Sequence, residues 1–295
     1  MEETLALVIA FAASFCTNYS TYMQKKAVDT LPRLKVRLTR AVIHSFITNR
    51  QWVSAMVMDG VGTALFMVAL IFLPVSIVEP IITAGIGLLA YLAIKNLGER
   101  PTLLDFSAIG MTVLGVIFLA VSLAEGLPKH HTYNALELWT ATAAILFVAV
   151  AIPLVLQLTS KGNIAAALGF SGGLFIGVAG VFSRLLMGDF GGQWYLWLPV
   201  CILTYPLGFA LFQSGLQRGR AVVVAPIYNG LVLCVPVVLG MIALNESLPN
   251  SPALTALRIA AFALIACGAV VLSRRTAASR SAQEVVDAEE ARLEA

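Results

Sequence analysis

The stretch Gly62–Ile81 reads GTALFMVALIFLPVSIVEPI, and the stretch Gly208–Ile227 reads GFALFQSGLQRGRAVVVAPI. At a constant offset of 146, eight of the twenty positions are identical: Gly62/Gly208, Ala64/Ala210, Leu65/Leu211, Phe66/Phe212, Leu70/Leu216, Val78/Val224, Pro80/Pro226 and Ile81/Ile227. Both copies cover the end of one apolar run, a turn, and the opening of the next run. The chain therefore repeats a unit larger than one helix. Duplicated apolar bundles imply a site at the interface between the copies.

Composition sets the solvent. Of the 295 residues, 59% are hydrophobic and only 12% are charged. Soluble domains carry roughly 25% charged residues. The apolar residues come in runs of about 20, the length that crosses ~30 Å of hydrocarbon as a helix. A transmembrane barrel needs in/out alternation over ~10-residue segments, and that pattern is absent. The fold class expected is an all-α integral membrane protein, with the lipid bilayer as its main partner. The segment MEETLALVIAF is acidic where a cleavable signal peptide needs positive charge, so the first helix is expected to be retained. The four cysteines (Cys16, Cys201, Cys234, Cys267) fall inside apolar runs at spacings that match no metal motif. Neither a disulfide framework nor a zinc site is expected. No spacing of the GxxxxGK[ST] type occurs, so no ATP-driven step and no cofactor is expected.

Nine spans are expected: Thr4–Gln24, Trp52–Phe72, Val75–Asn96, Leu103–Ala124, Asn134–Gln157, Asn163–Leu185, Trp194–Leu216, Arg220–Leu244 and Pro252–Ser273. The connecting turns carry Gly98, Pro101, Pro128, Gly162, Gly191, Gly192 and Pro249. One set of loops holds 16 of the 19 Lys and Arg residues, and the other holds only Lys129, Arg184 and Arg258. The positive-inside rule then puts the N-terminus outside and the C-terminus in the cytoplasm. An odd number of spans puts the two ends on opposite sides, in agreement with the charge bias. With 13 Arg against 6 Lys and many Ala, the composition suggests a GC-rich bacterial gene and hence the inner cell membrane.

Orientation turns the repeat into an inverted one. The second span runs in-to-out, while its counterpart, the seventh, runs out-to-in. Spans two to four and seven to nine are read as inverted copies. The domain expectation is a first repeat over residues 1–125 (four spans plus a basic cytoplasmic segment, 25–51), a second over 134–273 (five spans), and a polar tail over 274–295. Within the basic segment, Leu34, Leu38, Ala41 and Val42 recur at helical spacing among Arg33, Lys35, Arg37 and Arg40. Four charges would each cost roughly 2.5–3.5 kcal/mol in hydrocarbon, so this segment is not a span. It reads as a helix on the anionic leaflet or as a solvated loop.

An ionisable group inside a membrane is costly and so marks a functional candidate. Asp59 lies about 10 Å along the second span and Glu79 about 6 Å along the third, at ~1.5 Å per residue. Their vertical separation in a ~30 Å core would be ~14 Å. Separate roles, such as ion binding and gating, fit that distance better than one shared ion. Glu79 has a second reading, as a first-turn acid ahead of Pro80 at a helix N-terminus. Thr63 follows Asp59 by four residues and Thr83 follows Glu79 by four, so each pair shares a helix face.

Phe15, Asn18, Tyr19 and Tyr22 form a stripe on the first span, read either as a cavity lining or as an interfacial aromatic belt. Tyr228 and Asn229 follow Pro226, whose ring leaves a carbonyl of the preceding turn unpaired. Pro80 and Pro226 are candidate gates. Gln213 joins the lining set, with Gln157 and Tyr205 as weaker members. Ala165, Gly169, Gly173 and Gly177 recur every four residues, a close-packing row that doubles as a candidate sliding surface. The His130–His131 pair lacks the neighbours of a metal site. His44 has no evident nucleophile partner, and no enzymatic activity is expected. No nucleic-acid partner is expected either, and a homodimer is left open.

The motif LGERPT at residues 97–102 closes one copy and LNESLP at 244–249 closes the other. With the inverted repeat, these resemble the drug/metabolite transporter superfamily (EamA-like). Lys25–Lys26 after the first span and Val78-Glu79-Pro80 in the third make the chain most similar, within it, to the NIPA-type magnesium transporters. That resemblance implies nine spans and a transported cation. Where that family places an acidic residue after a glycine of the second span, this chain has Thr63 after Gly62, with Asp59 a turn earlier. The leading expectation is a secondary transporter that moves a small polar or cationic solute by alternating access. The alternatives are magnesium or divalent-cation transport (Asp59 and Glu79 as metal-binding carboxylates) and a non-transport role with lipid or a partner protein.

Overall fold

The structure is a computed structural model, and it describes residues 2–32, 34, 40–73, 75–99, 101–123, 133–159, 163–187, 193–243 and 251–293. Every regular element among them is a helix: α1 (Glu2–Val28), α2 (Arg40–Thr48), α3 (Arg50–Phe72), α4 (Val75–Ala84), α5 (Ile86–Leu97), α6 (Leu103–Ser122), α7 (Ala135–Thr159), α8 (Ile164–Met187), α9 (Trp194–Arg218), α10 (Ala221–Ala243) and α11 (Pro252–Leu293). Eight of the described helices are long and apolar enough to cross a membrane, and residues 81–97, from the end of α4 through α5, form a shorter apolar stretch. The protein is a multi-pass membrane bundle.

Local chemistry fixes the helix ends. The Asn49 side chain accepts from Trp52 N at 2.9 Å and starts α3. Thr102 and Asp105 form a capping box at α6, satisfying two otherwise unpaired N–H groups. Gly98 ends α5 at φ 67°, a left-handed conformation that a Cβ disfavours. Prolines lie inside α7, α9 and α10 (Pro153, Pro199, Pro206, Pro226, Pro236), as spans allow when neighbouring helices cover the freed carbonyls.

Two helices form the inner framework. The apolar windows of α8 and α10 are 78% and 61% buried, against 17% for α3 and α7, so the latter two face outward. The glycine row of α8 explains the close packing. A Cβ on Gly173 would come within 2.8 Å of Tyr228 O, and one on Gly177 within 2.5 Å of Val235 Cβ. Gly172 is equally tight against Gly208 O of α9. These contacts join α8 to α9 and α10, all within residues 134–273. Gly173 and Gly177 thus pack within one part of the chain, while Ala165, the first member of the row, packs with Tyr22, Phe46 and Leu89 of the other. Contact between the parts comes from three clusters: Tyr22 and Val28 of α1, Phe46 of α2 and Leu89 of α5 pack with Ala165, Phe212, Leu216, Ala221 and Val224; Ile86 of α5 and Ala108 and Ile109 of α6 pack with Ala166, Val222, Ile227 and Leu272; and Val116 and Leu119 of α6 pack with Cys234, Ala261 and Ile265.

Three features differ from the expected spans. The third span is not one helix. It is α4 and α5, joined at Gly85, and the 23 residues Val75–Leu97 still amount to about 34 Å at ~1.5 Å rise per residue. The last helix does not stop near Ser273 but runs on to Leu293. Of the basic segment, α2 is a short helix whose Phe46 packs edge-on against Trp52 at 5.4 Å. Arg33, Lys35, Arg37 and Leu38 lie outside the described residues, as do Lys129, His130, His131, Lys161 and Glu246.

Candidate functional site

Asp59 sits nine residues into the apolar run of α3, half-buried, where α3 packs on α1. Close packing there depends on Gly62, whose Cβ would meet Thr17 N at 2.9 Å. The approach brings the Ser20 hydroxyl to Asp59 Oδ1, to which it donates at 2.8 Å. Among the described residues no basic side chain pairs with this carboxylate. Tyr228 of α10 lies within electrostatic reach of both Asp59 and Tyr205. Its ring stacks on Phe212 with centroids 4.1 Å apart. The site therefore joins the carboxylate of α3 to the Ser20 hydroxyl of α1, with Tyr228 of α10 in its electrostatic surroundings, whereas the Tyr205 hydroxyl lies 3.1 Å from Ser183 Oγ.

Behind Ser20 lies a chain of amides that the sequence reading missed, except for Gln213. Gln24 Nε2 donates to Ser20 Oγ at 3.4 Å, and Gln213 Nε2 donates to Gln24 Oε1 at 2.5 Å. Trp52 Nε1 donates to Gln213 Oε1 at 3.4 Å. Ser20, Gln24 and Gln213 are all buried, so each needs a partner within the protein. The available signal was the placement of Ser20 and Gln24 four apart on an otherwise apolar span.

The first-span stripe divides. Tyr22 is buried, whereas Phe15 is half exposed and stacks on Tyr19 at 5.5 Å. Asn18 serves the α4–α5 junction. Its Nδ2 donates to Ile82 O at 3.1 Å and to Ser14 O at 2.9 Å, while Ser14 Oγ donates to Ile81 O at 2.8 Å. Gly85 makes room for both side chains, since a Cβ there would lie 2.2 Å from Asn18 Nδ2 and 2.4 Å from Ser14 Oγ. Insertion of side chains into a helix ladder is a recognised cause of a break.

Thr83 is buried beside this junction, and Pro226 is buried in the first turns of α10 with Asn229 half-buried after it. Thr63 is exposed on the outer side of α3, and Gln157 is exposed on α7. Glu79 and Pro80 belong to α4, but their side chains lie outside the described residues.

A second polar group closes one end of the bundle. Glu99 is buried and caps α10: Ala221 N donates to Oε1 at 2.7 Å and Val222 N to Oε2 at 3.2 Å. Burial pushes its carboxyl above the usual range, and those two N–H groups, with Lys25 and Arg220 nearby, offset part of the rise. Lys25 Nζ donates to Leu216 O at 2.7 Å, at the last turn of α9, and pairs with Asp29 at 2.6 Å. Arg220 pairs with Asp105 at 3.1 Å. These bonds tie α1, α5 and α6 to α9 and α10.

No three His, Cys, Asp or Glu side chains converge on a common point among the described residues. A divalent cation here would meet one carboxylate, neutral oxygens and water. Magnesium is ordinarily held that way, through one or two carboxylates with several waters retained.

The fold and this site define a multi-pass membrane protein with an acidic group inside the bundle. Over 289 residues the chain is 30% identical to a protein of Arabidopsis thaliana named "Probable magnesium transporter NIPA9", an alignment that takes in 92% of this chain and 82% of that protein. The chain belongs to the NIPA family. Its relative carries the name of a transporter, not of an enzyme. No family model matches the sequence, and no solved structure matches it.

Proposed function

We propose that this protein carries magnesium, or a divalent cation of the same hard character, across the membrane. Asp59 is the charged ligand, with the Ser20 hydroxyl on it and Tyr228 as a neutral neighbour. The observation that carries this reading is Asp59 itself, a carboxylate inside an apolar span with one hydroxyl donor and no described cationic partner. Intramembrane carboxylates otherwise pair with a cationic side chain or serve a transported ion. Membership of the NIPA family supports the same conclusion.

The scaffold fits alternating access. Spans two to four (α3 to α6) and seven to nine (α9 to α11) are read as inverted copies of the drug/metabolite transporter type. The end bearing Lys25, Glu99 and Arg220 is read as cytoplasmic in an inner cell membrane. Glu79, Thr83, Pro80 and Pro226 are assigned to the gates. A second reading, transport of a small organic cation, is favoured by the Phe212–Tyr228 stack near Asp59, since aromatic faces attract cations.

Thermal unfolding of the purified protein separates the two readings. A ligand at 100 times its Kd stabilises the folded state by about 2.7 kcal/mol. Magnesium is expected to raise the Tm of the parent and leave that of Asp59→Asn unchanged. A rise with tetramethylammonium and none with magnesium would favour the organic cation.

A further inference from the structure

The amide chain behind Asp59 has a single direction. Trp52 donates to Gln213, Gln213 to Gln24, Gln24 to Ser20, and Ser20 to Asp59. Hydrogen bonds aligned in this way polarise one another. The chain also crosses the molecule, because Gln24 belongs to α1 and Gln213 to α9.

Ser20 is its turning point. A hydroxyl has one hydrogen and two lone pairs. Two acceptors compete for that hydrogen: Asp59 Oδ1 at 2.8 Å and Thr17 O at 2.9 Å. A cation on Asp59 would repel the hydrogen and attract the oxygen. The hydroxyl then donates to Thr17 O and turns its lone pairs toward the cation. Those lone pairs are what Gln24 Nε2 donates to. One lone pair can serve each, but an oxygen that faces a cation and no longer donates to a carboxylate is a poorer acceptor, so occupancy at Asp59 weakens the Gln24–Ser20 bond, already 3.4 Å long, and loosens the orientation of the Gln24 amide that holds Gln213.

We propose that Gln24 and Gln213 are positioning residues that couple cation occupancy of Asp59 to the contact between α1 and α9. With the site empty, the chain runs unbroken and holds the two helices together. With the site filled, the Ser20 rotor releases it. The inference rests on the cation reading of Asp59.

The test uses the purified full-length chain with its four cysteines replaced by serine or alanine and a single reporter, Thr21→Cys, half-buried on α1 beside Ser20. Its reaction rate with a hydrophilic thiol reagent is measured with and without magnesium chloride, alongside the Tm shift that reports binding. In this background magnesium is expected to change the labelling rate several-fold. Adding Gln213→Met should abolish the change in labelling while the Tm shift persists. Gln24→Met should do the same, and it serves where the first variant does not fold. A magnesium-dependent change of full size in either folded variant would overturn the coupling. A Tm shift in the parent with no change in labelling would also overturn it and leave the cation reading standing. Neither a Tm shift nor a labelling change would remove both.

Discussion

Asp59 was legible because a carboxylate stands out in an apolar run, whatever surrounds it. Its partners were not. Ser20 has Thr17 O within reach in its own helix, as serines in spans ordinarily do, and only the packing of α1 on α3 at Gly62 brings it to Asp59. Gln24 and Gln213 are 189 positions apart, a separation that no local pattern reveals. Glu99 was visible as the acid closing one repeat, but its work as the cap of α10 depends on long-range folding. Its raised carboxyl gives a prediction with a definite sign. A folded-state pKa above the unfolded value of about 4.5 means that the native state holds the proton longer. The stability that this provides is fully present below pH 4.5 and is lost as pH rises through the folded value. Thermal melts of Glu99→Gln against the parent are expected to differ in slope over that window, with only the parent falling as pH rises. Parallel curves would contradict the assignment.

At the scale of the helix, apolar length located eight spans and the ninth as a region, but it gave no sign that the ninth was in two pieces. Gly85 keeps right-handed helical angles, φ −61° and ψ −14°, so nothing in its own preferences announces a break. The break comes from outside, through Ser14 and Asn18. Gly85→Ala would push a methyl group into both side chains, and overpacking of this kind costs about 1–3 kcal/mol. A lower Tm is expected for Gly85→Ala, with recovery in the double variant Gly85→Ala/Asn18→Ala, where the nearest obstruction is gone. A stable single variant would mean that α1 is not held at the junction. The α8 row yields a companion prediction. Gly177→Val meets Val235 at its Cβ and is expected to destabilise by a similar amount, about 1–3 kcal/mol, whereas Gly60→Ala, with nothing within 4 Å in a helix interior, should not lower the Tm.

For the whole molecule, the proposed topology, read from the repeat at offset 146 and the distribution of basic residues, has an odd number of crossings and termini on opposite sides. Single cysteines added at each terminus, probed in right-side-out and inverted vesicles with an impermeant reagent, should label from opposite faces; labelling from one face would reject the topology. What the sequence did not expose is how the two parts of the chain meet. The parts meet chiefly where α6 packs on α11, with Gly115 against Ile265 and Gly268 against Thr112, and where α5 and α6 pack on α10; α1 and α9 meet near Asp59 through the Gln24–Gln213 and Lys25–Leu216 bonds. On the proposed reading, access to the Asp59 carboxylate changes when the α1–α9 contact opens. The decisive measurement is magnesium uptake into proteoliposomes containing the parent or Asp59→Asn at equal protein density. The account predicts saturable uptake by the parent and a loss of at least about tenfold in Asp59→Asn, the scale expected when a charged partner is removed from a buried interaction. Equal uptake by the two proteins would contradict it.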